Sequence, residues 1–320
     1  MISIAFANIA GGRLVGPDGY DDADRTADFG YALAGLRPDV LIVTELDPDG
    51  DQLERLAAAA MPGRKAYYAR HGFSESHIPG VARLGVGIAS AYPLTELERI
   101  DLPDPSIDFL HWRTGEPMDP HPKGFLVARA DLGWLGEVDL VGGQVCPIHM
   151  FRSAAGVEYT YQEGAGREYG TELTAYLREE LAARGVRRAV VAGDLNMPNP
   201  RDVFGEPLGL VDAFGDPPPV TTPDGRSIDR LFSTPDLVAR DVEVVRVPGA
   251  DHFPVGCQLI RHAPQSPAIG RIREQDLARP PARPAAAVSR ADRPASSTER
   301  IRPLERLRRL VRACGSLAGP

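Results

Sequence analysis

Lysine is almost missing from this sequence: Lys65 and Lys123 are the only two, and arginine supplies the other 34 of its 36 basic residues. Such a bias reflects genome composition as readily as function. Cysteine is nearly as scarce. Cys146, Cys257 and Cys314 are too few and too scattered for a disulfide framework or a Cys/His zinc site. The first two sit in apolar, strand-like runs and read as small buried hydrophobes. No run of about 18 apolar residues occurs, so no membrane-spanning helix is expected. The opening MISIAFANIAGG has neither a basic stretch nor a sustained apolar core. It reads as a strand of the fold rather than a secretory signal, and a cytoplasmic location is expected. There is no Walker loop and no GxGxxG turn, so a nucleotide-cradling loop has no support.

What is present is ordinary globular composition: 320 residues, 43% hydrophobic and 25% charged. That suits one large domain or two small ones. The formal net charge of -8 is unevenly spread. From His262 onward there are 12 Arg against 5 Asp and Glu, whereas the preceding part carries 24 basic and 39 acidic residues. An acidic body of net charge -15 repels a polyanion at long range, the opposite of a general nucleic-acid binder.

Three segments follow from composition and periodicity. Residues 1–262 alternate short β-rich runs with a few helices. Residues 263–298, with RPPARPAAA at their centre, are too rich in Pro, Ala and Arg to bury a core and read as a disordered linker. Residues 299–320 space Ile301, Leu304, Leu307 and Val311 between arginines, the pattern of a short basic amphipathic helix. That helix would dock a protein, an anionic membrane surface or nucleic acid. Within the body, strands are expected over 2–7, 40–44, 66–70, 84–90, 125–130, 138–141, 189–192, 228–232, 242–247 and 255–260. Helices are expected over 22–36, 51–60 and 168–183, the first capped by Asp21 or Asp22. Such a mixture suggests packed sheets covered by helices.

Six segments place a polar group at the end or start of an apolar run. They are FANIAGG with Asn8, PDVLIVTELD with Glu45, CPIHM with His149, VVAGDLNMPN with Asp194 and Asn196, SIDRLF with Asp229, and ADHFPV with Asp251 and His252. In a layered fold these positions fall at the sheet rim, where loops build a site on a rigid scaffold. Carboxylate and amide oxygens suit a hard divalent cation. Histidine and amide donors suit the charge that develops on a phosphoryl group. Each segment alone is weak evidence, since GDLN can be an ordinary turn and Asp-His an ordinary capping pair.

Taken in order, the segments resemble the endonuclease/exonuclease/phosphatase superfamily, the deoxyribonuclease I-like fold. That family runs from a strand ending in Asn through PDxxxxQE, a GxAILSRYPL-like strand, TH, GDFN and a D-R-I/L strand to a terminal SDHxPV. The counterparts here are Asn8, PDVLIVTE, GVGIASAYPL, His149, GDLN, SIDRLF and ADHFPV. The resemblance implies an α/β (α+β) fold, a four-layer α/β/β/α sandwich of two packed mixed sheets flanked by helices, over 1–262. It implies a Mg2+- or Mn2+-dependent phosphoric ester hydrolase. Asn8, Glu45 and Asp251 would hold or support the metal. Asp194 would orient or deprotonate the attacking water, and Asn196 would position it or the phosphate. His252, oriented by Asp229, would contact a phosphate oxygen. His149 would be a second phosphate contact or an acid near the leaving group.

The chain departs from the family pattern at Thr44 for the usual Gln, Ala91 for Arg and Ile148 for Thr. Ala10 stands where abasic-site nucleases often carry Asp, which weakens that reading. His149 points to the branch shared by deoxyribonuclease I-like nucleases, sphingomyelinases and small-phosphoester hydrolases. Specificity is expected in three long rim loops, 71–83, 102–123 and 151–166, with Arg113, Arg152 and Trp112 as substrate contacts. The favoured substrate is a phosphomono- or phosphodiester of a small molecule, nucleotide or lipid headgroup. A DNA or RNA nuclease tethered by its basic tail is the second reading. A non-catalytic interaction protein of the same fold is the third, and a binding module has no need of Asp194 and His252 together.

Overall fold

The computed structural model describes residues 1–16, 19–111 and 113–262. Trp112, the linker expected over 263–298 and the helix expected over 299–320 lie outside the described residues. In chain order the strands begin with β1 (Ile2–Asn8), β2 (Val15–Gly16), β3 (Gly19–Tyr20), β4 (Val40–Leu46), β5 (Tyr67–Glu75) and β6 (Arg83–Ser90). They continue with β7 (Leu94–Asp101), β8 (Leu110–His111), β9 (Gly124–Asp131), β10 (Glu137–Gln144) and β11 (Phe151–Arg152). The last five are β12 (Ala189–Asp194), β13 (Val211–Asp212), β14 (Asp229–Ser233), β15 (Leu237–Val244) and β16 (Val255–Arg261). The α-helices are α1 (Thr26–Ala34), α2 (Gln52–Ala60), α3 (Gly164–Ala183) and α4 (Arg201–Phe204).

Two six-stranded sheets carry the architecture, one ordered β15-β16-β1-β4-β6-β5 and the other β13-β14-β12-β10-β9-β7. Each contains one parallel pair, β1 with β4 and β10 with β12, among antiparallel neighbours. Alternation along the strands explains the layering. In β1, Ile2, Ile4 and Phe6 turn into the core between the sheets, where they meet Leu126, Ala128 and Leu140. Ala5 and Ala7 turn outward onto Phe29 and Leu33 of α1 and Leu53 and Leu56 of α2. In β12, Val190 and Ala192 face the other sheet, and Val191 faces Leu173 and Leu177 of α3 and Phe204 of α4. Central strands buried on both faces have to be apolar almost throughout, which is why they stand out in the sequence. The result is the four-layer α/β/β/α sandwich.

Several boundaries differ from expectation for identifiable reasons. Helix α1 starts at Thr26, whose N–H donates to Asp24 Oδ1 at 2.9 Å, so Asp24 does the work expected of Asp21 or Asp22. Asp21 instead accepts from the Leu14 N–H at 3.2 Å. Strand β5 continues to Glu75, so much of the loop expected over 71–83 is sheet. Strand β7 was not foreseen: it is an edge strand whose one buried residue is Ile100, so no apolar run marks it.

Candidate active site

The register of the sheets brings the polar strand ends together. Asn8 ends β1 opposite Thr44 of the parallel β4. Gln144 ends β10 opposite Asp194 of the parallel β12, and Asp194 lies opposite Asp229 of β14. Strand β16 runs antiparallel to β1, with Val255 opposite Phe6, so the turn holding Asp251 and His252 reaches the same rim. The sheets close up just below it: a Cβ on Gly142 would lie 2.4 Å from Ile42 Cγ2. This close approach lets side chains from the two sheets hydrogen-bond across the rim.

Glu45 reaches the cluster through a β-bulge between Thr44 and Leu46, with a left-handed φ of 51°. A non-glycine residue there costs on the order of 1 kcal/mol, and the bulge re-aims its side chain out of the strand alternation. Asn196 is left-handed too, at φ 50°, a conformation asparagine tolerates better than most residues.

The resulting network is buried and cross-braced. Asn8 Nδ2 donates to Asp194 Oδ2 at 3.1 Å, and the Ala10 N–H donates to Asn8 Oδ1 at 3.1 Å. Gln144 Nε2 donates to both Glu45 Oε1 at 2.7 Å and Asp194 Oδ2 at 2.9 Å. Lys123 Nζ donates to Gln144 Oε1 at 2.6 Å. The Asn196 N–H donates to Asp194 Oδ1 at 3.3 Å, and its Nδ2 donates to Val145 O at 3.0 Å. Tyr20 OH donates to Asp251 Oδ2 at 2.9 Å, while Asp251 Oδ1 is buried with no partner.

Charge in the cluster is sorted by these contacts. Burial alone would raise the Glu45 carboxyl, but Lys123, His77, His252 and the Gln144 amide outweigh it and hold its pKa low. Burial raises Asp251, and the nearby Glu45 adds to the effect. His252 Nδ1 lies 3.0 Å from each carboxylate oxygen of Asp229. Burial works against a charge on His252, but Asp229, Asp194 and Asp251 overcome it and hold its pKa well above the usual range. Burial pushes Asp229 up to about 6. At neutral pH the pair is therefore an imidazolium on a carboxylate. His252 Nε2 stands 3.9 Å from Asp194 Oδ2, beyond hydrogen-bond reach.

The donor set suits a hard cation. Asp251 Oδ1 is a buried anionic oxygen lacking a donor, Glu45 is held ionised, and Asn8 Oδ1 keeps one lone pair beyond the Ala10 contact. Donor atoms of Asp194, Asp229 and His252 also lie within 4.8 Å of one another. That trio is a poorer fit, because the imidazolium would first have to lose its proton.

The pattern of the Endonuclease/Exonuclease/phosphatase family matches residues 5–252. The chain belongs to that family. Its members are phosphoric ester hydrolases. No curated protein sequence matches the chain. Among solved structures, an endonuclease/exonuclease/phosphatase from Beutenbergia cavernae is similar at a TM-score of 0.58 and 20% identity, covering 81% of this chain and 71% of that one. The human Nocturnin catalytic domain with bound sulfate is similar at 0.56 and 14% identity, covering 82% of this chain and 94% of that one. The 3' phosphatase NExo from Neisseria, bound to a product DNA hairpin, is similar at 0.51 and 18% identity, covering 81% and 100%. At these identities the likeness is one of fold. Among the described residues no helix is long and apolar enough to cross a membrane.

Departures from the endonuclease/exonuclease/phosphatase pattern now have a physical setting. Thr44, in place of Gln, buries its hydroxyl without a partner, and the amide beside Glu45 comes from Gln144 on the opposite sheet. His149 accepts from Arg226 Nη1 at its Nε2, 2.9 Å away. Burial, reinforced by Arg226, holds its pKa low. His149 is thus neutral and props a guanidinium. Arg152 turns to Glu158 at 2.8 Å, and the Arg113 N–H donates to His111 Nδ1 at 3.3 Å. Phe109, Phe151, Tyr159 and Tyr161 pack into a satellite core around Ile148 and Tyr169, and Tyr161 also lines a separate cavity beside α3.

Gln144, Lys123, Tyr20 and Arg226 are the site residues that sequence reading passed over. Gln144 carries the same signature as its neighbours, a polar residue ending an apolar run, and Lys123 is one of two lysines. Tyr20 ends the two-residue strand β3 and Arg226 follows a short turn, and neither carries such a mark.

Proposed function

We propose that this chain hydrolyses a phosphomono- or phosphodiester of a small molecule, nucleotide or lipid headgroup. A divalent cation, Mg2+ or Mn2+, would be held by Asn8, Glu45 and Asp251. The observation that carries the proposal is a single rim combining the donor-less Asp251 oxygen, the ionised Glu45, and the His252 imidazolium facing Asp194.

When bound, the cation supplies a Lewis acid for a phosphoryl oxygen and eases ionisation of the attacking water. Asp194 is fixed by donors from Asn8, Gln144 and Asn196, so it is placed to accept the proton of that water. His252 keeps its Nε2 proton for a non-bridging oxygen, and Asp229 fixes the ring and its charge. Arg226, propped by His149, adds a second cationic donor against the charge that develops on phosphorus. Substrate and product differ by one water: the P–O bond to the leaving alcohol breaks as the P–O bond to water forms.

The net charge of -15 over the acidic body favours a small ester over a polyanion. The basic tail, with 12 Arg against 5 acidic residues, is the observation that favours a nuclease. One panel separates them: purified full chain with Mg2+ or Mn2+ on mono- and bis-nitrophenyl phosphate, plasmid DNA and RNA. Turnover of the small esters with intact nucleic acid, lost in Asp194→Ala and with chelator, is the expected result. Nicking or degradation of nucleic acid, lost in the same controls, would move the assignment to a nuclease. No turnover of any ester would sink the catalytic reading.

A further inference from the structure

A groove of about 640 Å³ opens beside the carboxylate cluster and shares Asp251 with it. Val15, Val247, Pro248 and Phe253 give it apolar walls. These walls are preformed: the Val15 N–H donates to Gly249 O and the Phe253 N–H donates to Thr221 O, both at 2.7 Å. Two guanidiniums line the groove. Arg226 is half neutralised already, because its Nε donates to Asp224 at 2.7 Å. Arg246 is exposed and lies over the Phe253 ring, 5.4 Å from its centroid, with no carboxylate partner among the described residues.

We propose that this groove receives the organic part of the phosphoester, and that Arg246 recognises a second anionic group on it, a carboxylate or a further phosphate. The inference rests on the phosphoesterase reading and names the substrate class for the same site. Three features support it. The volume suits a small ligand. The shared Asp251 puts a bound organic group next to the phosphorus. In a body this acidic, a guanidinium over an aromatic face, with no carboxylate partner among the described residues, is open to a ligand's anion. A polynucleotide would need a cationic track continuing past the groove, and here one of the two guanidiniums already faces Asp224.

The test uses the full chain with Mg2+ and two non-hydrolysable probes, phenylphosphonate and 4-carboxyphenylphosphonate, titrated by calorimetry. The carboxylated probe should bind about tenfold tighter. Arg246→Gln should bring the two within about twofold of each other, and Arg246→Lys, which keeps the charge, should retain part of the preference. Equal binding of the two probes by the wild type, a preference that survives in Arg246→Gln, or no binding of either probe would overturn the inference. Equal probe binding together with a loss of single-stranded oligonucleotide binding in Arg246→Gln would overturn it in favour of a polynucleotide. The corresponding phosphate esters separate the two levels of the argument. A carboxylate preference in binding without hydrolysis of either ester sinks the phosphoesterase reading and leaves the groove standing. Hydrolysis of both esters at equal efficiency does the reverse.

Discussion

Gln144→Leu should destabilise the metal-free protein by several kcal/mol while leaving its packing nearly unchanged. Gln144 is buried, and its amide touches carboxylates of both sheets: it donates to Glu45 at 2.7 Å and Asp194 at 2.9 Å, and accepts from Lys123 at 2.6 Å. Leucine is close in volume, so little cavity energy enters. What is lost is the donor for a buried Glu45 oxygen, about 1–3 kcal/mol when left unsatisfied, and one of the two donors to Asp194 Oδ2, which keeps Asn8, about 0.5–1.5 kcal/mol, or about 1.5–4.5 kcal/mol together. For a domain of this size that corresponds to a fall in Tm of roughly 5–15 °C. The assay is thermal unfolding in chelator, followed by circular dichroism, with urea midpoints as a check. A Tm within about 1 °C of wild type would refute the bridging role and with it the cross-sheet network drawn above.

Other perturbations have equally definite outcomes. Asp229→Asn keeps the shape beside His252 but removes its anion, so kcat/KM on a metal-dependent substrate should fall about 10²–10⁴-fold; a loss below fivefold would contradict the imidazolium role. Burial pushes the Cys146 and Cys257 thiols up to about 12. A Cys314→Ser chain should therefore show no fast thiol reaction at pH 8 until it is unfolded, and one rapidly titrating thiol would disprove the burial argument. Burial opposes the charge on Asp236, but Arg188 and Thr234 outweigh it and hold its carboxyl below the usual range. Its contribution is thus complete above the unfolded value near 4 and lost as pH falls through the folded value. The pair is partly exposed, so Arg188→Met should shrink the stability difference between pH 7 and pH 3 by about 0.5 kcal/mol or less. A difference in urea midpoints that grows instead would show that the pair's sign has been misjudged.

How much of this was legible in the sequence depended on burial. Asn8, Glu45, Asp194 and Asp229 each end or begin a strand buried on both faces, so the contrast between apolar run and polar end is sharp. Pairing across the sheets leaves no such trace. Gln144 ends its strand in the same way, but an uncharged amide between two glycines and a valine does not advertise that it bridges two carboxylates. Strand β7 is an exposed edge and reads as loop. The aromatic residues of the rim loops suggest a ligand pocket, yet Phe109 and Phe151 pack into a satellite core. The groove beside Asp251 is assembled from three distant stretches, around Val15, Arg226 and Val247, and becomes visible only once they are folded together. His149 was visible as a site residue, but its dependence on Arg226, 77 positions away, was not.

The proposed mechanism depends on where the cation sits. Mn2+ binding to the full chain, measured by electron paramagnetic resonance or calorimetry in the wild type, Glu45→Gln and His252→Gln, tests that most directly. Glu45→Gln should weaken binding by at least about tenfold, while His252→Gln should leave it within about twofold of wild type. Strong binding retained in Glu45→Gln and lost in His252→Gln would place the ion on Asp194, Asp229 and His252 instead, and would contradict the roles assigned to these four residues.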